Sequence, residues 1–278
     1  MIPPLSFPAR DTARDTDRGT AGAPPAPRRP AARLRVLMYH SVAPLASPED
    51  DPYRVTVTPE RLDRQLGLLR RRGLRGVSVG ELLDAHAAGR SAGLVGLSFD
   101  DGYADFAEHA LPLLRRHGCT ASLYVLPGLL GADNVWDLRG PRKPLLDAEG
   151  VRACAGAGVE IGSHGLLHRA LPDLDDRELR RELWESRDLL RATTGVAPAG
   201  LCYPYGAVGP RESAAVRAAG YRYACAIDPG PLTGRYALPR VHVGQRDGAA
   251  RLTLKALLHP IRRRPVPPAE AVGTGFRA

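Results

Sequence analysis

Strand-length apolar runs alternate with amphipathic stretches from residue 34 to about residue 245. Leu34, Val36 and Met38 open the series, in a predicted strand (34–39) that ends at His40. A loop with Pro44, Pro48 and Pro52 follows. Thr58-Pro59-Glu60 then supplies an N-cap and a first-turn proline. Leu62, Leu66 and Leu69 mark the buried face of that helix and Gly73 its end. A short strand is expected at 74–77, then a capping box of Ser78 and Glu81 and a helix reaching about Gly89. The apolar run 94–99 reads as a strand. A helical stretch over 103–117, interrupted near Pro112, and a buried strand at 120–126 come next. Residues 127–146 form a long irregular connection of the kind that often carries function. A helix at 147–157 leads to a strand around Ile161. A strongly patterned helix follows at 175–194, with Leu179, Leu183 and Leu190 inward and Gly195 closing it. Strand, helix, strand and strand complete the order at 201–203, 215–219, 221–227 and 236–243.

Strand and helix thus alternate at least six times, the pattern of an α/β chain with parallel pairing and right-handed crossovers. An open doubly wound sheet and a closed barrel both satisfy it. Polar residues separate the two, because they collect at the C-terminal ends of many strands: His40, Asp100 and Asp101, His164 and His168, Tyr205, and His242. A barrel brings such ends round one mouth, so the expected fold is a (β/α) barrel.

Composition adjusts this picture at the margins. The 278 residues suffice for one large domain, and 44% hydrophobic with 25% charged residues is ordinary for a globule. Residues 1–32, rich in Pro, Arg, Asp and Ala, lack apolar periodicity and are expected to be disordered. The folded domain is placed at 33–259 and a loose Pro- and Arg-rich tail at 260–278. The net charge of +9 does not imply nucleic acid. Its cations are almost all Arg and are scattered, as a GC-rich genome would produce, with few aromatics to stack on bases. Cys119, Cys154, Cys202 and Cys225 lie far apart and form no C-x-x-C pair, so a disulfide scaffold is not expected. No segment approaches the roughly 18 apolar residues of a membrane span. The first residues show neither a basic region nor an apolar core, so no secretory signal is visible and the sequence alone reads as cytoplasmic. Nothing in the sequence addresses oligomeric state.

The chemistry concentrates in two places. Leu94-Val95-Gly96-Leu97-Ser98-Phe99 runs into Asp100-Asp101-Gly102. A regular strand would send adjacent carboxylates to opposite faces, but a strand end entering a glycine turn can aim both at one pocket. Two carboxylates so close need a cation or a shared proton. The second place is His164-Gly165-Leu166-Leu167-His168, whose histidines one helical turn would put on one face. Alone, the first motif reads as a solvated turn and the second as surface histidines. Together they read as a zinc site of two imidazoles and one carboxylate, with a position open to water. No G-x-S-x-G elbow, Walker loop or G-x-G-x-x-G fingerprint competes.

These two motifs resemble those of the polysaccharide deacetylases (NodB homology domain, carbohydrate esterase family four). Ser98 to Gly102 match T/S-F-D-D-G. His164 to His168 match H-S/T-x-x-H, with Gly165 in place of the hydroxyl residue. Pro204-Tyr205-Gly206 match the end of a third motif, R-x-P-Y-G, but Cys202 stands where the arginine belongs. In relatives that arginine holds the catalytic aspartate, so Asp100 is expected to lack a charge-assisted partner and to titrate higher than in them. Val36-Leu37-Met38-Tyr39-His40 resembles the branch acting on poly-N-acetylglucosamine, which often carries Y-P-Y-G without the arginine. For the family's last motif, Leu-x-His, the strand-end Pro239-Arg240-Val241-His242 is a better candidate than Leu258-His259. The resemblance covers roughly 33–245 and implies a distorted barrel of seven strands.

It also implies an activity: hydrolysis of N-acetyl groups on an amino-sugar polysaccharide or oligosaccharide. Asp101, His164 and His168 would hold a divalent metal, most simply Zn2+, and Asp100 would act as general base. The backbone N–H near Tyr205 would share the oxyanion. His40, with His242 as competitor, would protonate the leaving amine. Pro204, Tyr205, Trp136 and Asn134 are candidates for the sugar subsite, although a loop tip packed by its own Trp136 fits the residues equally well. The expected partner is an N-acetylated glycan, usually a cell-surface one in the family. Two alternatives stand beside this reading: a catalytically silent carbohydrate-binding relative, as the Cys202 substitution could signal, and a same-fold amidase acting on a small non-sugar substrate.

Overall fold

A computed structural model describes residues 34–227 and 234–258. The expected disordered extension (1–32), the tail (260–278) and His259 lie outside those residues. The order of elements is β1 (Val36–Tyr39), β2 (Ser41–Val42), β3 (Thr56–Val57), α1 (Pro59–Arg71), β4 (Arg75–Val77), α2 (Val79–Ala87) and β5 (Leu94–Phe99). After these come α3 (Leu111–Arg116), β6 (Ser122–Val125), α4 (Ala148–Gly156), β7 (Glu160–Ser163), α5 (Asp176–Thr194) and β8 (Gly200–Cys202). α6 (Pro210–Ala218), β9 (Tyr223–Cys225), β10 (Val241–His242) and α7 (Ala249–Leu258) complete the described chain.

Seven parallel strands curl into a barrel-like sheet in the order β10-β1-β5-β6-β7-β8-β9, and β4 pairs with β5 beside that path. This is the (β/α) barrel expected from the polar residues at the strand ends, with the distortion and seven strands that the family resemblance implies. The sequence-predicted strand 236–243 is mostly irregular, with only Val241–His242 in regular pairing. The segment before β10 nevertheless follows β9: Ala226 N–H donates to Leu238 C=O at 2.9 Å and Arg240 N–H to Ile227 C=O at 3.0 Å. It then joins β1 through Leu37 opposite Val241, which closes the ring.

Burial on both faces explains why the strands read as continuous apolar runs. Val95, Leu97 and Phe99 of β5 and Leu123 and Val125 of β6 sit in a core with Leu62 and Leu66 of α1 and Leu114 of α3. Leu179 and Leu183 of α5 pack with Leu201 and Val216 in a second cluster. Tyr124, Cys202, Tyr223 and Cys225 belong to a third.

Capping follows the sequence closely. The Thr58 hydroxyl accepts from Arg61 N–H, and Asp175 and Glu178 form a reciprocal box at the start of α5. The Ser78 box is only half present. Its hydroxyl accepts from Glu81 N–H, but the Glu81 carboxylate turns to Arg75 and Thr120 instead. Before α3 the chain forms one wide π turn (Phe106–Ala110), with Pro112 in the first turn of α3 itself. No described helix is long and apolar enough to cross a membrane.

Candidate active site

Parallel register sets the rim. Tyr39 pairs with Phe99, so His40 and Asp100 leave adjacent strands side by side, and Asp100 N–H donates to Tyr39 C=O at 3.0 Å. Val125 pairs with Ser163, and His164 N–H donates to Val125 C=O at 2.9 Å. Met38 pairs with His242. Every strand-end residue singled out in the sequence therefore lies on one edge of the barrel.

The Asp pair escapes strand alternation by a left-handed backbone. Asp101 has φ 71° and Gly102 φ 71°, which turns both carboxylates inward, at 2% and 4% exposure. A Cβ at Gly102 would lie 2.9 Å from Val125 Cγ1, so side-chain space as well as φ selects glycine there.

His164 and His168 converge without a helix, contrary to the one-turn expectation. The chain leaves β7 into a loop with Gly165 at φ 80° and His168 at φ 60°. Glu182 of α5 shapes that loop: one carboxylate oxygen accepts from Leu166 N–H at 2.5 Å and Leu167 N–H at 3.1 Å. Glu182 is 2% exposed, a buried carboxylate spent on two backbone amides. Its sequence signal was a lone acid on the apolar face of α5, beside Leu179 and Leu183.

Asp101 Oδ1 lies 3.2 Å from His164 Nε2 and 3.3 Å from His168 Nε2. Burial raises the Asp101 carboxyl, but hydrogen bonds from both histidines and the charge of His168 outweigh it and hold it well below the usual range. His164 Nδ1 is 2.8 Å from the Cys202 carbonyl. Because a carbonyl only accepts, Nδ1 carries the proton and Nε2 presents its lone pair to the centre, the tautomer that suits a metal ligand. His168 is held by rings: Trp136 stacks on it at 4.3 Å and Tyr205 meets it edge-on at 4.6 Å.

The donor set fits a divalent metal. Asp101 Oδ1 is buried, and the only polar atoms it faces among the described residues are the two imidazole Nε2 atoms, a convergence of three donors on one point. Asp100, His164 and Cys202 form a second group of possible ligands. It fits less well: Arg240 occupies both Asp100 oxygens, and burial keeps the Cys202 thiol protonated by pushing it well above its ordinary value.

Arg240 corrects the sequence reading most directly. Asp100 does not lack a partner. Arg240 Nη1 is 2.6 Å from its Oδ1 and Nη2 2.8 Å from its Oδ2, a bidentate, solvent-free pair. The guanidinium comes from the segment before β10 instead of the third motif. Its Nε donates to the Ala226 carbonyl, its Nη1 also to Ser98 Oγ, and its Nη2 to Cys202 Sγ at 3.0 Å. Cys202 thus sits under the guanidinium and donates to Asp100 Oδ2 at 3.5 Å. Burial raises the Asp100 carboxyl, but the charge of Arg240, then of His40, outweighs it and leaves the group below its ordinary value. The signal available was an arginine inside an otherwise apolar strand end, Pro239-Arg240-Val241.

His40 Nε2 is 3.8 Å from Asp100 Oδ2. The His242 ring is 6.2 Å from that of His40, and burial, with the charges of His40 and Lys255, lowers its pKa to about 4. Pro204 is buried beside Gly165, whereas Tyr205 is 57% exposed with φ 58°. Trp136 lies in the site, against a metal-ligand candidate. Asn134, offered as a subsite residue, is instead a staple of its own loop. It is 2% exposed, accepts from Lys143 N–H at 2.7 Å and donates to Asp137 at 3.1 Å.

The comparisons with known proteins agree with this geometry. Residues 88–224 match the Polysaccharide deacetylase family model. YxkH of Bacillus subtilis (strain 168), whose name carries the same family, is 26% identical over 217 residues, 76% of this chain and 72% of that protein. Among solved structures, the Streptococcus pyogenes deacetylase PplD superposes with TM-score 0.71 at 20% identity, covering 81% of this chain and 99% of that one. A de-N-acetylase from Aggregatibacter actinomycetemcomitans gives 0.69 at 22%, covering 81% and 100%. IcaB from Ammonifex degensii gives 0.63 at 22%, covering 80% and 95%. The family model over 88–224 and the sequence relative make this chain similar to the polysaccharide deacetylases, and the solved structures share its fold.

Proposed function

We propose that this protein is a metal-dependent hydrolase that removes N-acetyl groups from an amino-sugar glycan. The observation that carries the reading is the adjacency of two units: the Asp101, His164 and His168 donors, and the Asp100–Arg240 pair beside them. Asp101, His164 and His168 would hold the ion, for which zinc suits one carboxylate and two imidazoles. A divalent ion there supplies Lewis-acid polarisation of the amide carbonyl and acidifies a water.

The remaining steps belong to the chain. Asp100, kept ionised by Arg240, accepts the proton of the attacking water. The backbone N–H near Tyr205 donates to the developing oxyanion. His40, at the rim beside Asp100, delivers a proton to the leaving amine; His242, neutral at pH 7, is poorly suited to that step. Tyr205 offers an exposed ring to the sugar, while Trp136 fixes the His168 imidazole. The S. pyogenes neighbour was solved in complex with acetate, the acid such a reaction would release.

The silent-relative alternative rested on Cys202 leaving Asp100 without a partner; the Arg240 pair holds Asp100 and so favours the catalytic reading. The test is metal analysis of the purified protein, then acetate release with added zinc from chitooligosaccharides, β-1,6-linked N-acetylglucosamine oligomers and peptidoglycan. About one ion per chain and release from at least one of these are expected. Occupancy that survives Asp101→Ala, His164→Ala and His168→Ala together, or metal without acetate from any glycan, refutes the reading.

A further inference from the structure

Next to the His40 side of the catalytic rim lies a cavity of about 420 Å³, bounded by the 45–54 loop, the end of β10 and the start of α7. His242 belongs to both places. Its ring lines the cavity and stands 6.2 Å from that of His40 at the catalytic rim.

The charge of this cavity is uneven. Arg54, Arg246, Arg251 and Lys255 line it, against Asp51 and Asp247. Both carboxylates are buried and spent. Asp51 accepts from Val55 N–H at 2.9 Å and Thr56 N–H at 3.0 Å. Asp247 accepts from Gly244 N–H at 2.9 Å and pairs with Arg251 at 3.0 Å and with Lys255. Arg54 and Arg246 are exposed and make no ion pair among the described residues. Two guanidinium groups therefore face the cavity without a neutralising acid.

Arg54 is also held in an uncommon backbone state, φ 58°. The turn that carries this cation and the His242 ring border the same cavity, so the cation lies close to the catalytic rim. Planar guanidinium groups match carboxylate, phosphate and sulfate oxygens, and they repel the amines that deacetylation exposes.

We propose that this cavity binds the anionic substituent of an acidic glycan whose adjoining N-acetylated sugar enters the metal site. The preferred substrate is then an acidic polymer, neither neutral chitin-like chains nor partly deacetylated polyglucosamine. This inference rests on the deacetylase reading for the role of the bound glycan, but binding tests it without turnover.

The probes are hyaluronan oligosaccharides, in which N-acetylglucosamine alternates with a uronate, and chitooligosaccharides of equal length. Calorimetry with the full chain in low salt is expected to give about tenfold tighter binding of the uronate oligomer. That is roughly the gain from one or two charge-assisted contacts. The gap should narrow as salt screens it. Arg246→Gln and Arg54→Gln should each shrink the ratio of the two affinities several-fold. Arg246→Gln decides if the strained Arg54 turn does not tolerate change. A sulfated or phosphorylated N-acetylglucosamine oligomer that binds as well as the uronate assigns the shared oxyanion chemistry; one that binds like the neutral oligomer narrows the site to carboxylates. Equal affinity for acidic and neutral oligomers, or a preference that survives both arginine variants, overturns the proposal. A preference without acetate release from any glycan would sink the deacetylase reading and leave the anion site standing.

Discussion

Arg240 grips Asp100 across the inside of the barrel, with one guanidinium nitrogen on each carboxylate oxygen. The pair unites strand ends from opposite parts of the chain and sets the protonation of the proposed base. A carboxylate held below its ordinary pKa stays ionised as pH falls, so base-competent enzyme should persist into acid. Arg240→Gln should raise the Asp100 pKa and move the acidic limb of kcat/KM to higher pH. It also leaves a buried carboxylate unpaired, at a cost of about 3–5 kcal/mol. Melting curves and metal content must therefore accompany the profile. Arg240→Lys keeps the charge but not the fork and should fall between. An acidic limb that stays in place in a folded Arg240→Gln protein would show that the pair does not govern the base.

The two adjacent aspartates should separate cleanly. Asp100→Asn keeps size but cannot take the proton, so it should retain metal and lose roughly 10²- to 10⁴-fold in rate. Asp101→Asn should lose metal. Metal analysis of the two variants decides, and the opposite pattern would reverse the roles.

For the proton donor, His40→Ala should abolish most amide turnover. An ester analogue, whose leaving group needs less protonation, should be spared. His242 has a pKa of about 4 and is already neutral at pH 7, so His242→Ala should keep most of the amide turnover that His40→Ala loses. Near-normal amide turnover in His40→Ala would transfer the role.

Trp136 makes a further prediction because its ring lies flat on His168. Trp136→Ala should weaken metal binding by about 10- to 100-fold, the usual effect of losing a group that orients a ligand. Trp136→Phe should recover most of it. Unchanged metal affinity with a raised KM would instead make Trp136 a sugar platform.

Much of this was legible in the sequence because the barrel repeats a local code. Each strand is an apolar run, and its polar terminator falls on the rim regardless of the helices between. His40, Asp100, Asp101, His164 and His242 could all be placed that way. Arg240 could not, because its partner is distant in sequence and its strand has only two regular residues. The fixed spacing His164 to His168 suggested a helical turn, but the same spacing arises in a loop once Glu182 collects its amides. Asn134 shows the converse. A polar residue in a long loop suggests a ligand contact, yet the loop's own backbone consumed it.

The segment that brings Arg240 is the one that runs along β9 and then joins β1, sealing the ring. The metal ligands are all in place before that seam. The same segment and α7 also send Val241, Val243 and Leu252 into the core under Val95, Leu97 and Phe99, so the strand that carries the Asp pair leans on the last part of the barrel to form. In this architecture the segment that closes the ring is also the one that delivers the partner of Asp100, so closure and the Asp100 ion pair form together.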